Sequence, residues 1–421
     1  MNSLSILGGR TIDPASGLDQ INDIHIADGA ILHIGITPEG FAPEQQIQAN
    51  GKIVCPGFVD LCARMREPGE EYKATIRSEA RAAVRNGITT LCCPPDTDPI
   101  IDTTAVAELL QQRAREAGMS KVLPIAALTQ QLEGQHLSEM NSLKIVGCIG
   151  MSNALKPIEN TEVMRHAMAY AATCEMPVFL HPRESWLGRK NCLHEGIVSA
   201  RLGLPGIPET AETIAVARDL LLIELTGVRA HFCRLSTARA VNMVKTAQAQ
   251  GLPVTADVSA HQLFLTEQDV QDYDTACYVY PPLRTPRDRD ALRDGLSQGI
   301  VGAICSDHQP HEPDAKDLPF IESASGISAL DTLLPLALKF GDEMDISMPK
   351  VLAFITNKPA GILGLDTGRL EAGRPADICI FDPEQNRELS PATMHSVQHN
   401  SPFLGLTVKG LVTHTLVDGK L

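Results

Sequence analysis

Between residues 53 and 308 the chain carries eight short apolar runs, most of them with β-branched residues, separated by segments whose apolar positions return at helical spacing. The runs are IVCPGFVDLCAR (53 to 64), ITTLCCPP (88 to 95), KVLPIAAL (121 to 128), KIVGCIGMS (144 to 152), PVFLHP (177 to 182), VRAHFCRLS (228 to 236), PVTADVSAH (253 to 261) and VGAICSDH (301 to 308). A strand covered by helices on one side and packed into a barrel core on the other loses its polar alternation, so continuous apolar runs fit parallel strands. Between the first two runs, TIRSEARAAVRN keeps Ile76, Ala80, Ala83 and Val84 on one helical face, and Gly87 follows as a stop. Repeated eight times, this alternation predicts an α/β fold, a (β/α)8 barrel of the TIM type.

The two ends read differently. ILGGRTIDP, DIHIADGAILHIG, ADICIFDP and LVTHTLVDGKL are short strand-like segments broken by Gly and Asp turns, as in a small antiparallel sheet. The expected organisation is a discontinuous β domain from residues 1–52 and 366–421 around a barrel spanning 53–365. Within the barrel, GLPGIPETAETIAVARDLLLIELTG combines a proline-rich entry with a long amphipathic helix, for which a structural role is expected. Internal repeats and low-complexity segments are lacking.

Composition narrows the possibilities. With 421 residues, 43% hydrophobic and 21% charged, the chain can bury a large core. A formal charge of -15 disfavours nucleic acid and anionic lipid as partners, and no Lys/Arg-rich run interrupts that balance. The N-terminal segment lacks a basic start followed by a long apolar run, and no stretch approaches a bilayer span, so a cytoplasmic location is expected. The eleven cysteines are odd in number and include no CxxC pair, which points to buried reduced thiols.

Reacting groups of such a barrel sit at the C-terminal ends of its strands. The residues there are Cys62 and Arg64 on the first strand, Asn153 past the fourth, His181 on the fifth, Arg234 on the sixth and Asp307 on the eighth. The segments PGFVDLCARMREPG, CCPPDTDP, EGIVSARLGLPGIPETAE, RLSTARAV, YPPLR and SDHQPH, spread over nearly the whole chain, resemble the signature segments of dihydroorotases of the amidohydrolase superfamily. The resemblance implies a His-x-His metal-binding pair where this chain has Cys62 and Arg64. It implies an aspartate ligand where the chain reads Asn153–Ala154, and a histidine where it has Arg234, His231 lying three residues too early. His181 and Asp307 match the family.

Four of six expected ligand positions are therefore changed, and two replacements carry a positive charge that cannot be titrated away in a protein. A dication and a guanidinium about 4 Å apart repel by on the order of 8 kcal/mol at an effective dielectric of about 20, against roughly 10 to 16 kcal/mol for a structural zinc. The expectation is no metal, no cofactor and no catalytic residue. Arg64 and Arg234 are expected instead to pair with Asp307 and keep its carboxylate satisfied. A single metal on Cys62, His181 and Asp307, serving a cyclic amidohydrolase of altered chemistry, is one alternative. Neighbouring arginines could also lower the Cys62 thiol pKa and make it nucleophilic.

Arg66 and His311 match family positions that hold the substrate carboxylate, so a remnant ligand pocket and a metabolite-binding sensor form a further alternative. The plainer reading has Arg66 paired with a local acid and His311 capping a loop. Asp96 stands where the family often has Asn, and its charge would repel a carboxylate substrate. The resemblance, with this pattern of losses, implies a non-catalytic pseudo-dihydroorotase of the kind that assembles with bacterial aspartate carbamoyltransferase in pyrimidine biosynthesis, in a homo- and hetero-oligomer.

Overall fold

A computed structural model describes residues 3–421. The parallel strands Phe58–Asp60, Ile88–Cys93 and Lys121–Pro124 pair in that order. A second parallel ladder runs through Ala126–Ala127, Met151–Ser152, Val178–Leu180, Ala230–Phe232, Val254–Ser259 and Ala303–Cys305. The barrel closes where the chain beyond Asp60 meets the chain beyond Cys305: Ala63 bridges His308, Arg64 N donates to His308 O at 2.9 Å, and His308 N donates to Cys62 O at 3.2 Å. This seam carries Cys62, Arg64 and Asp307, so closing the barrel is what brings the first and eighth strands' functional positions together.

Each apolar run is longer than the barrel strand it yields, and three show the cause. The run 53 to 64 splits, because Ile53–Pro56 pairs with Ile378–Glu388 and belongs to the terminal sheet, leaving Phe58–Asp60 to open the barrel. The run 121 to 128 breaks at Ile125, whose N–H bonds Cys93 O while Ala126 N–H bonds Gly150 O. In 144 to 152 only Met151–Ser152 is strand; Lys144 and Ile145 end the helix Met140–Ile145.

The helix Ile76–Arg85 follows its sequence signals: Thr75 and Ser78 form a capping box, and Ile76, Ala80 and Ala83 are buried. Its stop needs glycine, because Gly87 has φ +81° and a Cβ there would lie 2.5 Å from Cys379 Sγ.

The terminal sheet has the order Thr407–Leu416, Ile378–Glu388, Ile53–Pro56, Ser3–Asp13, Leu18–Ala27, Ala30–Ile34, with Gln45–Gln48 also on Ser3–Asp13. It is mixed rather than purely antiparallel, since Gln45–Gln48 and Ile53–Pro56 run parallel to Ser3–Asp13. Ile6, Ile24, Ile26, Val54 and Ile380 form its own apolar cluster. The non-strand segment between its last two strands leaves the sheet and reaches the barrel mouth, where Asn400 Oδ1 accepts from His311 N–H at 2.9 Å and Ser396 Oγ donates to Glu79 at 2.7 Å. All eleven cysteines are buried and free, and no helix among the described residues is long and apolar enough to cross a membrane.

Candidate functional site

At the barrel mouth, Asp307 is 1% exposed and meets two guanidinium groups on one oxygen: Arg64 Nη1 lies 3.5 Å and Arg234 Nε 3.4 Å from its Oδ1. Gln309 Nε2 donates to the same oxygen at 3.3 Å, and the Cys62 thiol lies 3.6 Å from it. Both arginines are about 5% exposed. The sequence expectation that Arg64 and Arg234 gather on Asp307 thus describes the geometry, with one addition. The nearest carboxylate to Arg64 is Asp96, which accepts from its Nε at 2.9 Å.

Asp96 therefore acts here as a counter-ion, not as a free charge set to repel an anion. Desolvation would raise its pKa, but Arg64, by charge and hydrogen bond, holds the carboxylate below its usual range. Burial works against the Arg64 charge too, and Asp96 and Asp307 more than offset it.

Two of these residues sit on left-handed backbone, Arg234 at φ 53° and Asp307 at φ 50°, as do Arg66 at 62° and Ala154 at 48°. Non-glycine residues in that region cost about 1 kcal/mol or more each and persist where their surroundings hold them. For Arg234 the hold is visible: its N–H is bound by the Asp257 carboxylate, whose other oxygen accepts from His231 Nε2 at 3.0 Å. The Thr255 hydroxyl in turn donates to His231 Nδ1. Asp257, His261 and Gln309 are passed over in the sequence, and His231 is read there only as lying three residues too early for a ligand, although Asp257 and His231 lie on strands that alternation would aim inward.

The remaining positions do not converge on a metal centre. Asn153 faces its own loop, accepting from Thr129 Oγ1 at 2.8 Å and donating to Leu132 O and Lys156 O. His181 is held neutral, first by burial and then by Arg234, whose Nη2 is 3.4 Å from its Nδ1. A cavity of about 20 Å³ beside Asn153 and His181 has room for a water, not for a ring.

Burial pushes the Cys62 thiol pKa up despite the neighbouring Arg234 and Arg64, which runs against the alternative of an activated thiolate. Among the described residues, the one group of three potential donors whose ligand atoms lie within 4.8 Å of one another is His231, Cys233 and Asp257. Cys62, His181 and Asp307 make no such group. The His231 group is already committed to Thr255 and to the Arg234 backbone. The donor set at the mouth therefore does not fit the family's metal centre: its retained carboxylate is taken by guanidiniums and its retained imidazole abuts one.

Arg66 and His311 bond to each other and to neighbouring loop groups. Arg66 donates to Pro310 O at 3.0 Å, to Glu70 at 2.9 Å and to His311 Nε2 at 2.9 Å. His311 Nε2 also lies 3.0 Å from Ser325 O, and burial followed by the Arg66 charge lowers the His311 pKa to about 2. An open cleft of about 250 Å³ lies against Arg64, Arg66, Glu70 and Asp96.

The other signature segments build a clamp away from this centre. Glu212 accepts from the backbone and hydroxyls of Ser236 and Thr237, the latter capping the helix Ala238–Ala249. Arg284 of YPPLR donates to Ser236 Oγ, to Ile207 O and to His194 Nδ1. These contacts support the barrel without touching Asp307, so the segments can persist where metal ligands have changed.

A dihydro-orotase-like family model matches residues 51–240, and an amidohydrolase family model matches 225–421. A "dihydroorotase-like protein" of Pseudomonas putida is 47% identical over 99% of this chain and 98% of its own length. Its Pseudomonas aeruginosa counterpart is 46% identical over 100% and 99%. A "dihydroorotase" of Geobacter sp. is 39% identical over 100% and 99%. Among solved structures, L-hydantoinase (dihydropyrimidinase) from Arthrobacter aurescens superposes with a TM-score of 0.88 at 21% identity, covering 100% of this chain and 96% of its own, and so shares the fold.

Proposed function

The chain belongs to the dihydroorotase-like amidohydrolases, and on that premise we propose that it is a catalytically inactive member, binding no metal at the barrel mouth and serving as a structural or regulatory subunit of aspartate carbamoyltransferase in pyrimidine biosynthesis. The observation that carries the inactive reading is the pair of guanidiniums on Asp307 Oδ1. In the family the matching carboxylate is both metal ligand and general base. Here that oxygen already receives Arg64, Arg234, Gln309 and Cys62, and a dication brought to about 4 Å from either guanidinium would be opposed by on the order of 8 kcal/mol. Without a bound metal, neither a hydroxide at neutral pH nor polarisation of the scissile amide is supplied.

The names borne by the more similar relatives, "dihydroorotase-like protein" at 46–47% identity against "dihydroorotase" at 39%, support a subgroup apart from the enzymes. The partnership rests on the family resemblance joined to this pattern of ligand loss. A location in the cytoplasm goes with it.

The test is the solution mass of the chain alone and mixed with aspartate carbamoyltransferase of the same organism, by light scattering after chromatography. A stable mixed complex is expected. Separate elution at micromolar concentration would end the subunit reading.

A further inference from the structure

The helix Ile76–Arg85 turns Ile76, Ala80 and Ala83 to the core and leaves Arg77, Arg81 and Arg85 exposed, three guanidiniums at successive i, i+4 positions. Like charges one turn apart repel, and Arg77 stands in the first turn against the helix dipole, so helix stability does not explain the row.

The row leads to a groove of about 660 Å³. Arg81 and Arg85 line it from this helix, Arg115 from the helix Thr104–Ala117, and Lys420 from the segment after the strand Thr407–Leu416. All four are exposed, and none has an ion-pair partner among the described residues. Glu116, beside Arg115 in sequence, is held by Gln112 and Arg113 instead. Asp418 also lines the groove, but Lys121 takes it at 2.7 Å. The chain as a whole carries a formal charge of -15; folding gathers these cations from three separate segments.

Arg85 closes the helix that precedes the strand Ile88–Cys93, and Lys121 opens the strand Lys121–Pro124. The groove therefore lies at the N-terminal ends of the barrel strands, the opposite end of the barrel from Asp307. Its size is that of a small-molecule site. Guanidiniums match phosphate oxygens two at a time, and four unpaired cations call for a ligand with several negative charges. Half-buried Val84, Met119 and Leu123 add apolar surface for an uncharged part.

We propose that this groove binds a small phosphorylated molecule with two or more phosphoryl groups, held by Arg81, Arg85 and Arg115, with its organic part on Val84, Met119 and Leu123. This does not rest on the chain being inactive or on any protein partner.

The experiment is isothermal titration calorimetry on the full-length chain with inorganic triphosphate, with ATP, and with citrate, which presents several negative charges on carboxylates. The variants are Arg81→Gln/Arg85→Gln, Arg115→Gln and, as a control, Arg239→Gln, which alters an exposed arginine on the helix Ala238–Ala249. Thermal melts confirm that each is folded, which is expected because the altered side chains are exposed. Triphosphate and ATP are expected to bind, ATP the tighter, with citrate about tenfold weaker than triphosphate. Arg81→Gln/Arg85→Gln is expected to weaken ATP binding about tenfold, Arg115→Gln by a smaller factor, and Arg239→Gln not at all. No binding of either phosphate ligand, citrate bound as tightly as triphosphate, or a double variant as good as the wild type would each overturn the proposal. An equal loss in Arg239→Gln would also overturn it, because the attraction would then be to surface charge in general. ATP no tighter than triphosphate would overturn the part assigned to Val84, Met119 and Leu123.

Discussion

Arg234 Nε stands 3.4 Å from Asp307 Oδ1, and both residues hold left-handed backbone, at φ 53° and 50°. The pair joins the sixth and eighth strands across the mouth at the point where the family would place metal. A carboxylate this buried is destabilising unless charge meets it, and the two arginines bring that charge.

The pair's energetics can be isolated. Removing one partner of a buried ion pair typically costs about 3 to 5 kcal/mol; because Arg64 still approaches Asp307, Arg234→Met is expected at the lower end, about 3 kcal/mol, read as a fall in Tm. Asp307→Asn in the same chain removes the stranded charge and is expected to recover part of the loss. A double variant no more stable than Arg234→Met alone would mean that Asp307 does not depend on Arg234.

Acid sensitivity follows from histidines held neutral by burial. His181 is lowered, His194 and His261 are lowered to about 4, and His311 to about 2. An unfolded histidine titrates near 6.5, so below that pH the unfolded chain binds more protons and folding weakens as pH falls toward the depressed values. Asp60 and Asp219, raised to about 6 by burial, act in the opposite sense and offset part of this. The net expectation is a lower Tm at about pH 5 than at neutrality, with a smaller difference in His261→Asn. An equal difference in wild type and variant would remove His261 from the explanation.

Cys62 is expected to resist alkylation in the native chain at mildly alkaline pH, because its thiol is 2% exposed and its pKa is raised. Mass spectrometry after iodoacetamide treatment reads this directly. Rapid modification of Cys62 before unfolding would restore the nucleophile reading.

Arg66 is treated as a strut. Arg66→Ala removes bonds to Pro310 O, Glu70 and His311 and is expected to cost about 1 to 3 kcal/mol, since buried acceptors lose a charged donor. If stability is unchanged while an anionic pyrimidine precursor raises the wild-type Tm and not the variant's, Arg66 is a ligand-binding residue instead.

Much of the barrel was legible because its parallel strands are apolar on both faces, and the seam positions Cys62, Arg64 and Asp307 follow from their place at the C-terminal ends of the strand-like runs. Pairing choices were not. Arg64 reaches Asp96 across 32 positions of sequence, and nothing in the local pattern around Asp96 says that a guanidinium will meet it. The run 144 to 152 misled because its Val and Ile residues suit a strand, while Gly150 sits where a Cβ would lie 2.4 Å from the Phe179 ring, leaving Met151–Ser152 as the paired part. The expected amphipathic helix, Thr210–Thr226, is apolar on both sides, with Leu221 67% and Leu225 68% exposed, because which side of a helix faces the core depends on packing that the segment alone does not specify.

The central claim is the absence of metal-dependent hydrolysis at this mouth, and it is tested most directly by assaying dihydroorotate hydrolysis by the purified chain with added zinc. The account predicts no turnover above a no-protein control, with or without chelator. Turnover that appears with zinc and disappears on chelation would contradict it, because the guanidiniums on Asp307 would then have to give way to the ion.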